Sequence, residues 1–179
     1  MQTAIICAGK NEQFSFAKSI GVGLVEASMG LTEFVLENKV QNLIFIGTCG
    51  LYKNDATLLE IYESRHCFNI EASSLTNDFY SPLQNEINLN VSYETTKCNS
   101  SNYICTDKNI AEKFAHLGLE IENMESFAVL SVAARFQISA TCFLCATNFC
   151  DSKAHQFFIQ NHAQAKKNLE HFLQEKNLI

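Results

Sequence analysis

Three segments of this 179-residue chain carry residue types suited to ligand chemistry. Glu122-Asn123-Met124-Glu125-Ser126 stands at the mouth of an apolar helical run. Ala146-Thr147-Asn148-Phe149-Cys150-Asp151 lies where an apolar strand runs out, and Ile46-Gly47-Thr48-Cys49-Gly50 follows an earlier strand. Together they put a carboxylate, an amide and a small hydroxyl at neighbouring ends of what should be one sheet, where open α/β sheets bind ligands. Such a set can grip a nucleoside. Breaking a purine N-glycosidic bond builds positive charge on the ribose and negative charge on the base, so it calls for a carboxylate near the sugar and a donor near the base. Glu125 and Asn148 form that pair. A carboxylate bound to both ribose hydroxyls is held more strongly as the ribosyl cation develops, the differential binding that catalysis requires. Plainer roles compete: Glu125 as a carboxylate favoured by a helix dipole, Asn148 as a turn residue.

The elements that must position these residues alternate between apolar runs and helical patterns. Thr3 to Ala8 reads as a strand and Val22 to Leu36 as a helix opened by Ser19-Ile20-Gly21-Val22-Gly23. Leu43 to Gly47 reads as a buried strand. Thr57 to Glu63, Leu89 to Tyr93 and Asn102 to Cys105 read as further strands, separated by the polar stretches Ser73 to Asp78 and Thr95 to Ser101. Glu125 to Phe136 is apolar nearly all round, through Phe127, Val129, Leu130, Val132 and Phe136, which predicts a helix buried inside the fold. Ile138 to Ala146 then forms a central strand. From Lys153 onward, Phe157, Phe158, Ala165, Leu169, Phe172 and Leu173 recur at helical spacing opposite lysines and glutamines. This order predicts a three-layer α/β/α fold, with residues 1–179 as one domain and no linker, repeat or low-complexity segment.

Composition narrows the function. With a net charge of -6 and only Arg65 and Arg135 as arginines, the chain has no basic stripe to neutralise phosphates, which argues against nucleic acid as a partner. No apolar run approaches a membrane span, and the N-terminus lacks a signal pattern, so a cytoplasmic protein without a membrane partner is expected. Of the eight cysteines, Cys7, Cys49, Cys105, Cys142 and Cys145 lie in apolar strand-like runs, where the thiol serves as a small buried hydrophobe. Cys142-Phe143-Leu144-Cys145 has metal-like spacing, but on a strand the two thiols point to opposite faces. No metal and no cofactor is expected.

The three segments, in this order and spacing, resemble those of the nucleoside phosphorylase and nucleosidase superfamily, which includes purine nucleoside phosphorylases, methylthioadenosine/adenosylhomocysteine nucleosidases and futalosine hydrolases. The similarity runs from Ala17 to about Phe172, and its most specific part is Asn123-Met124-Glu125 combined with Thr147-Asn148, followed by Asp151 and His155. It implies a central mixed sheet, shortened near the N-terminus, and a homodimer or higher homo-oligomer. It implies that Met124 packs on the ribose with Asn123 beside it, that Glu125 binds the 2′- and 3′-hydroxyls, that Asn148 faces the purine, and that Gly47-Thr48 meets the nucleophile or the sugar. Asn109 and Ile110 fall where relatives contact the base edge. Where nucleosidases for 6-aminopurines resemble one another in an aspartate, this chain has Asn148, which donates to N7 without giving up a proton and suits a 6-oxo group, as in futalosine hydrolases.

Either water or phosphate could be the nucleophile. Hexameric phosphorylases hold phosphate with arginines at places that here offer Lys10 and Phe45. Ala8-Gly9-Lys10-Asn11-Glu12 resembles the nucleosidase segment whose glutamate activates water, which makes Glu12 the candidate general base, although the stretch from Glu12 to Lys18 is short. The expectation is hydrolysis of a 6-oxopurine or futalosine-like nucleoside. The alternatives are phosphorolysis of the same bond, and a shortened relative that binds a nucleoside without turnover.

Overall fold

The computed structural model describes residues 2–53, 55–76, 78–89 and 92–179. Its elements in chain order are β1 (Thr3–Cys7), β2 (Lys18–Ser19), α1 (Gly23–Glu37), β3 (Asn42–Leu51), β4 (Ile61–Ser64), β5 (His66–Phe68), β6 (Glu86–Asn88), β7 (Lys97–Asn99), α2 (Lys108–His116), β8 (Ile121–Glu122), α3 (Ser126–Phe136), β9 (Ser139–Phe149) and α4 (Ala154–Glu175). The described strands join in one mixed sheet in which β3 runs parallel to β1 on one side and to β9 on the other. The far end of β3 turns to pair antiparallel with β8, Gly50 opposite Glu122.

Strand alternation divides the core in two. Leu43 and Phe45 of β3, with Ala140, Cys142, Leu144 and Ala146 of β9, face α1 and α3; Ile44, Ile46 and Cys145 face Ala165, Leu169 and Leu173 of α4. Period-two side-chain placement thus makes both faces of the sheet apolar, and a helical layer covers each. Burying each large aliphatic side chain contributes roughly 1.5–3 kcal/mol. Cys142 and Cys145 stand on opposite faces as expected, and all eight cysteines are free. Helix α3 packs on α1 and also on β3, β5, β6, β7 and β9, which accounts for its nearly all-round apolar surface. Helix α2 closes a smaller cluster over the end of β3, with Phe114 stacked on Tyr52 at 5.0 Å.

The fold departs from the sequence reading in its middle third. The strand expected over Thr57 to Glu63 begins only at Ile61, because Leu59 takes a left-handed backbone (φ 66°) incompatible with an extended ladder. Asn102 to Cys105 is a loop: the Asn102 side chain accepts from the Leu24 amide, and the Cys105 amide donates to Glu122. The strand there is β7, in the stretch read as a polar connection, where Cys98 slots between Cys67 of β5 and Ile121 of β8. Of the strand expected over Leu89 to Tyr93, residues 90 and 91 lie outside the described residues; the pairing strand is β6, just before it. Helix α2 was not anticipated. Among the described residues, no helix is long and apolar enough to cross a membrane.

Candidate active site

Strands β1, β3 and β9 are mutually parallel, so their carboxyl ends lie at one edge of the sheet. A cavity of about 360 Å³ opens there, bounded by the loop after β1, the end of β3, the N-termini of α3 and α4, and residues 101–106. Glu12, Thr48, Asn123, Met124, Glu125 and Asn148 all line it. Segments far apart in sequence converge because the ends of the parallel strands β1, β3 and β9 meet there, and β8, antiparallel to the end of β3, delivers Asn123, Met124 and Glu125 to the same place.

Glu12 reaches the cavity through a tight turn. Gly9 and Lys10 both adopt positive φ (98° and 54°), and the Glu12 amide donates back to the Gly9 carbonyl at 3.0 Å. The Glu12 carboxylate accepts from the backbone N–H of Thr48 (3.1 Å) and from its hydroxyl. Gly47 does not border the cavity; it makes room for this contact, since a Cβ there would lie 2.8 Å from Glu12 Oε2. Lys166 of α4 fastens the loop by donating to the carbonyls of Gln13 (2.6 Å) and Asn11 (3.4 Å) while covering the Phe14 ring. The short connection from Glu12 to Lys18 therefore still delivers its carboxylate. Burial pushes the Glu12 carboxyl above its usual range, opposed by the Thr48 hydroxyl and amide and by the charge of Lys166.

Glu125 stands at the start of α3 and is 3% exposed. Its Oε1 accepts from the Gly23 amide at 2.8 Å, so the two-glycine turn before α1 supplies a donor to the protein's own carboxylate. Gly23 has φ 80°, a conformation that favours glycine. Burial, reinforced by the charge of Glu12 and opposed by the Gly23 amide, raises the Glu125 carboxyl to about 7. Asn123 braces this helix start. Its Oδ1 accepts from the amides of Glu125 and Ser126 (both 2.9 Å) and the Ser126 hydroxyl (2.8 Å), and its Nδ2 donates to the Thr48 carbonyl (3.0 Å). The side chain thus ties α3 to β3, satisfying orphan amides of the helix N-terminus.

Asn148 is placed by a bulge. Between the pairs Cys49 with Ala146 and Gly50 with Asn148, β9 carries one extra residue, Thr147, which re-aims the side chains that follow. The Thr147 hydroxyl donates to Asn148 Oδ1 (2.9 Å), Asn148 Nδ2 donates to the Phe149 carbonyl (3.2 Å), and Asn161 of α4 donates to the Thr147 carbonyl (2.8 Å). An amide nitrogen carries two hydrogens, so a second N–H remains for a ligand. Asp151 accepts from the Lys153 amide and shapes the turn into α4. His155, in the first turn of α4, faces the cavity.

Asn109 and Ile110 do not line the cavity. Their amides are bound by the Asp107 side chain in the first turn of α2, and Ile110 packs into the cluster around Tyr52 and Phe114. The wall they were expected to supply is made by Tyr103, Ile104 and Thr106, with Phe158 and Glu122 completing it. Tyr103 and Ile104 are large apolar side chains left exposed in a polar loop, a signal readable in hindsight. Cys150 is buried beside the site, and burial raises its thiol far above the reactive range. Among the described residues, no three His, Cys, Asp or Glu side chains are grouped to hold a metal ion. The site therefore offers carboxylates, an amide donor, and aromatic and aliphatic walls.

Comparison with known proteins agrees with this fold. A family model described as the phosphorylase superfamily matches residues 72–175, more than half of the chain. The fold is similar to that of a futalosine hydrolase mutant of Helicobacter pylori strain 26695, with a TM-score of 0.80 and 13% identity over 96% of each chain. It is also similar to a mutant of the Helicobacter pylori nucleosidase MTAN with 5′-methylthioadenosine in its active site, with a TM-score of 0.78 and 14% identity over 97% of this chain and 98% of that one. The 5′-methylthioadenosine/S-adenosylhomocysteine nucleosidase of S. pneumoniae gives a TM-score of 0.75 and 11% identity over 94% of each chain. A search of curated proteins finds no match.

Proposed function

Because the chain belongs to the phosphorylase superfamily, we propose that residues 1–179 act as one domain that hydrolyses the N-glycosidic bond of a purine nucleoside. The observation that carries this reading is the seating of Glu12. A half-buried carboxylate with a raised pKa, anchored on Thr48 and sharing a cavity with Glu125, has the attributes of a base for water. It would repel phosphate. The cavity lining includes Lys10 but no arginine among its described residues, which leaves little to hold an anion.

In this mechanism Glu125 accepts hydrogen bonds from the ribose 2′- and 3′-hydroxyls, and Met124 packs on the sugar. As the bond from C1′ to N9 breaks, its electron pair leaves with the base and the ribosyl cation is stabilised by Glu125. Asn148 donates a hydrogen bond to N7 of the departing base. Glu12 orients a water, takes its proton as the oxygen bonds to C1′, and the base acquires a proton from solvent. Asn123 contributes by holding Glu125 and Thr48 in register rather than by touching substrate. The amide at position 148 favours a 6-oxopurine nucleoside or a futalosine-like conjugate. Exposed Val25, Met29 and Leu36 along α1 fit a homodimer or larger homo-oligomer.

The test is release of free base from inosine, guanosine, adenosine, methylthioadenosine and futalosine, followed by chromatography. Release from one or more 6-oxopurine substrates is expected. Binding of these nucleosides with no release from any would replace the enzyme with a non-catalytic nucleoside-binding relative.

A further inference from the structure

Helix α4 faces the sheet with Ala165, Leu169 and Leu173, which recur every four residues and are buried. Asn161 is the preceding position of the same stripe, where the pattern calls for an apolar side chain. Asparagine is a poor helix former, and an amide on a core-facing stripe is costly unless it is hydrogen-bonded. Its partner belongs to the site: Asn161 Nδ2 donates to the Thr147 carbonyl at 2.8 Å. Thr147 is the bulged residue, without a partner in β3 and 1% exposed, so this carbonyl is served from the helix layer. The Thr147 hydroxyl in turn donates to Asn148 Oδ1 at 2.9 Å. Two bonds therefore lead from α4 to the amide that faces the base, while Asn161 itself does not border the cavity.

Resting on the reading of Asn148 as the base contact, we infer that Asn161 is a positioning residue for the leaving base. A bulged residue has no ladder partner to fix its peptide plane, and the side chains that follow take their direction from it. The Asn161 bond fixes the Thr147 peptide, and with it the direction of the Thr147 hydroxyl and of the Asn148 carboxamide. Because that hydroxyl holds Oδ1 of Asn148, Nδ2 is the end presented to a ligand. The same helix serves the other side of the reaction through separate bonds. Lys166, further along α4, donates to the carbonyls of Asn11 and Gln13 on either side of Glu12. One rigid element thus spaces the group that activates water from the donor to the departing base, each on its own anchor. A misplacement of about 1 Å in either is enough to cost roughly 100-fold in rate.

A double-mutant cycle on base release from the best nucleoside of the panel tests this. Asn161→Leu and Asn161→Asp are each close to the amide in size and lack its donor, so either serves if the other fails to fold. Both should lower kcat on the order of 10- to 100-fold and change KM less than about three-fold, because the bond to the base tightens in the transition state. In Asn161→Leu the pH at which kcat/KM rises should stay that of the wild type, since the Lys166 anchor beside Glu12 is untouched. In an Asn148→Ala background either change should cost less than about two-fold, because the group that Asn161 positions is gone. A loss that multiplies in full with that of Asn148→Ala, or a kcat within about two-fold of wild type in a folded variant, overturns the role of Asn161 and leaves the nucleosidase reading intact. Undiminished turnover in Asn148→Ala alone would refute Asn148 as the base contact, and the inference with it. If the wild type releases no base from any nucleoside, the nucleosidase reading and the role of Asn161 fail together.

Discussion

Replacing Glu125 with glutamine should make the protein more stable and much less active. The Glu125 carboxyl is raised from an ordinary 4.5 to about 7, chiefly by burial, with the charge of Glu12 adding to it. Between those two values the folded protein keeps a proton that the unfolded chain has lost, so this group's contribution to stability falls as pH rises through that window and is lowest above 7. At roughly 1.4 kcal/mol per pH unit, a window of about 2.5 units corresponds to a penalty on the order of 3 kcal/mol. The amide removes the charge and retains an oxygen for the Gly23 N–H. Glu125→Gln should therefore gain about 2–3 kcal/mol at pH 8 and almost nothing at pH 4, or a rise in Tm of roughly 5–10 °C at the higher pH for a chain of this size. Urea unfolding at the two pH values measures the first effect. Base release measures the second, expected to fall about 100-fold or more because the ribosyl cation loses its counter-charge. Equal stability changes at both pH values would refute the buried-charge argument. Turnover within a few-fold of wild type would refute the ribose-binding role.

Three other outcomes are expected. Asn148→Asp should move the ratio of kcat/KM toward 6-aminopurine nucleosides, because the acid form can give N7 a proton; parallel changes for inosine and adenosine would contradict this. Gly47→Ala should displace Glu12, given the 2.8 Å approach of its carboxylate, and lower turnover roughly ten-fold or more with the fold intact by circular dichroism. Lys166→Met should lower kcat/KM and shift its alkaline-rising limb to higher pH, since the lysine charge favours the ionised form of Glu12; Lys166→Arg should restore the limb.

The parts of the site that were legible in sequence are those attached to strand ends and a helix start. Thr48 and Asn148 stand where the apolar runs of the parallel strands β3 and β9 give out, at one edge of the sheet, and Glu125 opens the apolar run of α3. The expected helices of residues 22–36 and 125–136 appear as Gly23–Glu37 and Ser126–Phe136. What was not legible depends on partners distant in sequence. Asn123 lines the cavity, and no spacing in the sequence announces the four bonds by which it also ties α3 to β3. Asn109 and Ile110 look like part of the base wall, but an Asp107 cap draws them into α2, a helix whose Ile110, Ala111, Phe114 and Ala115 recur at helical spacing and are the sequence signal for it. The strands β5, β6, β7 and β8 are three residues or fewer, too short for alternation to show. The bulge at Thr147 leaves no mark in composition at all, since it is a matter of register between β3 and β9.

The most direct test of hydrolysis is the dependence of base release on phosphate. The enzyme, freed of phosphate by exhaustive dialysis, is assayed on the best nucleoside of the panel, and phosphate is then added to millimolar levels. Equal rates in both conditions, with free ribose sugar as the product, are predicted from a water activated by Glu12. Release that begins only when phosphate is added, with a sugar 1-phosphate as the product, would contradict it and make the protein a phosphorylase.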